Sequence, residues 1–117
     1  MAEKVVAIYV RQDLSNKDSI RIEEQLKYCY EEVHENNENN NLIQYMVYED
    51  RHWGMCQKLV GYEAMLKDLS KKAYDEVYYY GNKTLLGNKY EHFNDLFKFQ
   101  KQRVKMFNAD TCGITLI

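Results

Sequence analysis

The sequence predicts a single α/β domain over residues 1–117, built as three layers with a mostly parallel sheet and helices on both of its faces. Residues 5–10 form a continuous apolar run rich in β-branched side chains, which is typical of a strand buried on both faces. Strand patterns then alternate with helical patterns in the order β-α-β-α-β-α-β-β, which favours right-handed crossovers between parallel strands. The length of 117 residues also matches one domain.

Three helices are predicted from apolar residues that recur every three or four positions. They cover residues 22–33, 62–73 and 90–100. Asp18 or Ser19 is expected to cap the first helix, because short polar side chains satisfy the free N–H groups of a first turn. The asparagine-rich stretch 36–41 is expected to end that helix, since asparagine tolerates turn geometry.

Further strands are predicted over residues 42–48, 77–80, 104–107 and 114–117. In a parallel sheet, ligands bind in the crevice beyond the carboxyl ends of the strands. The segments at those ends are residues 11–18, 49–57 and 81–88, which are therefore expected to be loops that carry the functional site.

Composition and charge exclude several classes of protein. The formal net charge is −2 and the pI about 5.9, which argues against a strong stand-alone DNA binder. The three cysteines, Cys29, Cys56 and Cys112, form no CxxC pair, and this favours a reducing compartment. The chain shows no signal-peptide core and no apolar run long enough for a membrane span, so a cytoplasmic location is expected.

Basic residues gather toward the end of the chain, while the first half is acidic. Lys98, Lys101, Arg103 and Lys105 lie within eight positions of one another. One interpretation is a solvated helix end, where cations also suit the helix dipole. The other is a patch for nucleic acid or an acidic partner.

Motifs for common cofactors are missing. There is no GxGxxG after the first strand and no phosphate-binding GxxxxGK[ST], so no cofactor is expected. His52 and Cys56 lie four positions apart beside Asp50, which is half of a conceivable metal site. A fourth ligand has no evident source, so no metal is expected either.

The first forty residues carry the strongest functional signal. Segment 7–11 (AIYVR), then a polar loop, then 18–20 (DSI) and 23–25 (EEQ) resemble the start of the N-terminal catalytic domain of serine recombinases of the resolvase/invertase family. Further matches keep the family's order along the chain: 48–50 (YED) with Gly54, 61–62 (GY), 65–66 (ML) and 74–80 (YDEVYYY). The resemblance implies a resolvase-like fold and a part in site-specific DNA recombination.

The resemblance also identifies positions where this chain departs from the family. The serine nucleophile, two residues after the motif arginine Arg11, corresponds here to Asp13. Both arginines of the family's Asp-Arg-Leu-x-Arg motif correspond to Thr84 and Gly87, with Lys83 beside them. An aspartate cannot form the phosphoseryl linkage, and its charge would repel a scissile phosphate.

These departures predict a catalytically inactive domain that acts by binding protein or, weakly, DNA. Besides Arg11, the positions that match supporting residues of the family site are Gln25 and Asp50. The candidates for DNA contact are Arg11, Lys83, Lys98, Lys101, Arg103 and Lys105. The expected partners are a recombinase, a second copy of the chain or weakly held DNA, without a membrane; no C-terminal DNA-binding domain is expected within the 117 residues.

Two alternatives remain open from the sequence. The chain could be the excised catalytic domain of an active recombinase that uses a shifted serine, Ser15 or Ser19. It could also be an unrelated α/β module that binds a small anion among the loops 11–18, 49–57 and 81–88.

Overall fold

A computed structural model gives the fold of the chain and describes residues 4–15, 17, 20–38, 42–53, 59–71, 73–80, 101–109, 113 and 114. Five strands and two helices lie within these ranges. The strands are β1 (Lys4–Asp13), β2 (Ile43–His52), β3 (Glu76–Tyr79), β4 (Lys105–Asn108) and β5 (Gly113–Ile114). The helices are α1 (Ile22–Asn36) and α2 (Val60–Ser70). The third helix predicted from the sequence, 90–100, falls outside the described residues.

The strands form one sheet in the order β2-β1-β3-β4-β5. The first four are parallel, and the two-residue β5 runs antiparallel to β4. The predicted α/β fold with a mostly parallel sheet is therefore confirmed. β1 lies between β2 and β3, which is the place that its apolar run requires.

The side chains of β1 alternate between two cores. Val6, Ile8 and Val10 pack on the face covered by α1. The helix contributes Cys29 and Val33 to this core. Ala7 and Tyr9 face α2 and pack with Met65 and Leu69. Because both faces of β1 are covered by helices, the predicted three-layer arrangement is confirmed.

The predicted cap of the first helix is wrong. The residue that precedes α1 is Arg21, in extended backbone geometry and without a side-chain hydrogen bond to the first turn. Its carbonyl accepts hydrogen bonds from the backbone N–H groups of Glu24 and Gln25, so the helix begins after the positions of Asp18 and Ser19. Glu23 and Glu24 in the first turn complement the helix dipole instead.

Strands β1 and β2 extend further than the sequence predicts. The polar segments 11–13 and 49–52 were expected in loops, but they continue a parallel ladder in which Arg11 pairs with Asp50 and Asp13 pairs with His52. Sequence reading ended the strands where apolar residues end, although backbone pairing continues.

Candidate functional site

The in-register ladder between β1 and β2 brings three of the family-matched positions to one end of the sheet. Arg11 lies beside Asp50, and Asp13 follows two residues later. Gln25 reaches the same region from the first turn of α1. We call the region around these four residues the carboxyl-end crevice.

Asp50 caps the start of α2 from a neighbouring strand. Its Oδ1 accepts the backbone N–H of Gly61 at 2.8 Å, and its Oδ2 accepts the N–H of Tyr62 at 2.8 Å. Oδ2 also accepts the hydroxyl of Tyr9 at 2.7 Å. Asp50 is 8% exposed, so three donors offset the cost of burying its charge. The carboxylate therefore joins β1, β2 and α2 at one point.

Gly61 permits this close approach of α2 to β2. A Cβ added at Gly61 would lie 2.5 Å from the carbonyl oxygen of Glu49 and 3.1 Å from Oδ2 of Asp50. The first contact is with backbone, which cannot swing aside as a side chain can. A larger residue would therefore push the helix start away from its cap.

Tyr9 connects the buried acid with the arginine of the crevice. Burial raises the pKa of its hydroxyl well above the ordinary value, and the hydrogen bond to Asp50 raises it further, while Arg11 opposes the shift. Tyr9 therefore remains a proton donor to Asp50 through the whole neutral range. Its ring also contacts that of Tyr62, with centroids 5.3 Å apart.

Gln25 acts on the backbone of Arg11 rather than on the open crevice. Its Nε2 donates to the carbonyl oxygens of Arg11 and Ile20, both at 2.7 Å, and its Oε1 accepts the N–H of Arg11 at 3.2 Å. β3 pairs with β1 only as far as Tyr9, so the amide of Gln25 takes the place of the missing strand neighbour. Gln25 is 3% exposed and positions Arg11.

The carboxylate of Asp13 stabilises a local turn beside the carboxyl-end crevice. Its Oδ1 accepts the backbone N–H of Ser15 at 3.0 Å and the hydroxyl of Ser15 at 2.6 Å. The N–H of Leu14 bonds the carbonyl of His52 at 2.7 Å, which holds this turn against the end of β2. Ser15 is exposed, so its hydroxyl is accessible from solvent.

Comparison of this fold with solved structures finds the crystal structure of the N-terminal catalytic domain of TP901-1 integrase, a serine recombinase. The TM-score is 0.76 at 20% sequence identity, over 96% of this chain and 82% of that chain. This chain shares the fold of that domain. No protein-family model and no curated protein matches the sequence. The resolvase-like fold expected from the first forty residues is therefore confirmed.

Within the resolvase-like fold, the candidates for DNA contact divide between the two ends of the sheet. Arg11 lies at the carboxyl end, whereas Lys105 begins β4 at the amino end, level with Glu76 and Val6. Arg11 is five residues further along β1 than Val6, which is about 16 Å at about 3.3 Å per residue. Arg103 lines a cavity with Lys105 at the amino end.

Other predicted site residues fall outside the described part of the chain: Ser19, Cys56, Lys83, Thr84, Gly87 and Lys98. The described residues contain no group of three metal-ligating side chains. The carboxylate of Asp50 accepts hydrogen bonds from the backbone at the start of α2 and from the hydroxyl of Tyr9. Within the same residues, no helix has the length and apolar character that a bilayer span requires.

Sequence reasoning missed Tyr9 as part of the site and gave Trp53 only a packing role, as an anchor of the 49–57 loop. A tyrosine inside an otherwise aliphatic buried run was the available signal, because a buried hydroxyl needs a partner. Trp53 follows directly after the end of β2 and is 64% exposed, beside the ladder pair of Asp13 and His52.

Proposed function

We propose that this chain is a resolvase-like domain that does not cleave DNA and that serves site-specific recombination by binding. The observation that carries the proposal is the carboxylate of Asp13 at the position that matches the family's nucleophile. That carboxylate holds a turn through Ser15, at 3.0 Å and 2.6 Å, and offers no nucleophilic hydroxyl. The resolvase-like fold supports the association with recombination.

Electrostatics supports the loss of cleavage. A carboxylate about 4 Å from a scissile phosphate would raise the energy of the bound state by about 4 kcal/mol at an effective dielectric near 20. That amount corresponds to roughly a thousandfold. The family's motif arginines are Thr84 and Gly87 in this sequence, and removing one preorganised donor typically costs about 100–1000-fold in rate.

One observation favours a second candidate, an active domain that uses Ser15. The hydroxyl of Ser15 donates to Oδ1 of Asp13 at 2.6 Å, and Asp13 lies two residues beyond Arg11 in β1. A serine hydroxyl bonded to a carboxylate has a proton acceptor in place for nucleophilic attack. In this candidate Asp13 would be a general base, and its charge would be neutralised during attack.

A covalent-adduct assay separates the two candidates. The chain is incubated with supercoiled plasmid that carries the DNA flanking its own gene, then denatured, and protein-linked DNA is measured. The catalytic domain of a serine integrase on its own DNA shows that the assay detects a linkage. We expect no adduct from the wild-type chain. An adduct that disappears in Ser15→Ala and persists in the exposed control Ser70→Ala would overturn the proposal in favour of the second candidate.

Binding is tested separately from cleavage. Sedimentation over a wide range of protein concentration reports self-association, a mixture with a recombinase reports a mixed complex, and a labelled DNA duplex reports weak DNA binding by anisotropy. We expect a protein complex, with DNA affinity that falls steeply as salt is added. If the chain stays monomeric alone, forms no mixed complex and leaves duplex anisotropy unchanged at low salt, the binding proposal fails.

A further inference from the structure

A cavity lies at the amino end of the sheet, at the end opposite to the carboxyl-end crevice. Its volume is about 420 Å³, within the range of about 300–1,000 Å³ typical of small-molecule sites. It is lined by the starts of β1, β3 and β4 and by the segments before β3 and β4: Lys4, Tyr74, Asp75, Glu76, Gln102, Arg103, Val104 and Lys105. The family-matched residues of the crevice take no part in it.

The carboxylates of this cavity are already satisfied. Oε2 of Glu76 accepts Lys4 Nζ at 3.1 Å, while its Oε1 accepts Nδ2 of Asn37 at 3.3 Å and the hydroxyl of Tyr78 at 3.0 Å. The ammonium group of Lys4 also donates to Oδ1 of Asn37 at 2.7 Å. Oδ2 of Asp75 accepts the backbone N–H of Val5 at 3.1 Å. Lys4 and Glu76 thus neutralise each other within a closed network.

Two cations of the lining, Arg103 and Lys105, differ from Lys4 in this respect. Among the residues that the structure describes, neither Arg103 nor Lys105 has a hydrogen-bond or ion-pair partner for its side chain. Arg103 has a φ of 60°, in the left-handed region that a non-glycine residue seldom adopts. Strained backbone of this kind concentrates at ligand sites, where the surrounding structure holds it in place.

We propose that the amino-end cavity binds a phosphate-bearing small molecule of about nucleotide size. Arg103 supplies a planar fork of N–H donors and Lys105 a mobile charge, the two groups that proteins use to hold phosphate. The lining holds three cationic side chains against two carboxylates, so it favours an anion. The volume exceeds what inorganic phosphate needs, which leaves room for the rest of the molecule beside the largely buried Tyr74 and Val104.

Calorimetric titration with adenosine monophosphate and with inorganic phosphate, at low ionic strength, tests the proposal. We expect the nucleotide to bind with a dissociation constant at or below about 1 mM. Arg103→Asn keeps a residue that tolerates left-handed geometry, and Lys105→Gln keeps length; each should weaken binding by about tenfold or more, as for a lost charge-assisted hydrogen bond. Lys101→Gln removes an equally basic, exposed side chain that does not line the cavity, and should leave binding unchanged.

A substitution that is expected to strengthen nucleotide binding distinguishes loss of the site from general loss of structure. Asp75→Asn removes a negative charge from the lining yet keeps an oxygen for the N–H of Val5, so it should tighten nucleotide binding severalfold. Absence of binding by the wild-type chain, or equal losses in the Arg103, Lys105 and Lys101 variants, would overturn the site. Binding to a DNA duplex but to neither small phosphate would also overturn it, in favour of a backbone-phosphate contact.

Discussion

Replacing Gly61 by alanine should destabilise the protein, although alanine is the better helix former. On a free helix surface the change would add about 1 kcal/mol of stability. Here the new Cβ would lie 2.5 Å from the carbonyl oxygen of Glu49 and 3.0 Å from its carbon. Because both atoms belong to the backbone of β2, the helix start must move, and its hydrogen bonds to Asp50 lengthen.

The expected size of the effect follows from three contributions. Overpacking costs about 1–3 kcal/mol, and weakening the cap by Asp50 costs about 0.5–2 kcal/mol. The gain in helix propensity offsets about 1 kcal/mol, which leaves a loss of about 2 kcal/mol. For a domain of this size the entropy of unfolding is about 0.25 kcal/mol/K, so Tm should fall by about 8 °C.

Urea and thermal unfolding followed by circular dichroism measure this loss. Val60→Ala is the matched control, because Val60 precedes Gly61 in α2 and is 67% exposed; its effect should stay within about 0.5 kcal/mol. A Gly61→Ala variant that is more stable than the wild-type chain would refute the close contact between α2 and β2. Equal losses in both variants would refute the assignment of the effect to that contact.

Three further predictions concern other groups of the fold. Gln25→Ala should cost about 2–4 kcal/mol in urea unfolding, because it leaves the N–H and C=O of Arg11 unpaired, whereas exposed Glu24→Ala should cost little; equal losses would contradict the positioning role. Asp13→Ser should change stability by less than about 1 kcal/mol, since the bonds to Ser15 lie at an exposed turn, and a large fall in Tm would show a deeper structural part. Burial raises the pKa of several tyrosines, to about 12 for Tyr79, above the ordinary value of 10.0. Ionisation of these buried tyrosines thus favours the unfolded state. The free energy of unfolding should be constant below about pH 9 and fall as pH rises through 10 toward 12, with the phenolate absorbance of the buried tyrosines appearing together with loss of circular dichroism. Full phenolate absorbance in a still-folded chain would contradict that linkage.

The core of the fold follows from the sequence because burial leaves a direct pattern. The apolar run of β1 and the spacing of Ile22, Cys29 and Val33 are set by which faces must be covered, and both predictions match the structure. The ends of the strands do not follow in the same way. Arg11 and Asp13 are polar, and only the partner strand determines that their backbone continues the ladder.

The sequence could predict which residues belong to the site but not what each residue does there. The family resemblance selected Asp50 and Gln25, yet no pattern in the sequence says that their polar atoms bind backbone groups of α2 and β1. Those contacts arise from segments far apart in the chain. For the basic residues, the sequence analysis was wrong about which side chains lie together. It grouped Arg11 and Lys105 by their shared positive charge, although the two residues lie at opposite ends of the sheet.

Trp53 gives the protein a fluorescent probe at the carboxyl end of the sheet only. It is the single tryptophan of the chain, and its ring, 64% exposed, lies directly after β2. A ligand that covers the carboxyl-end crevice should shield this ring from a soluble quencher such as iodide, whereas a ligand in the amino-end cavity should leave quenching unchanged. One unlabelled sample can therefore report which end of the sheet a partner occupies.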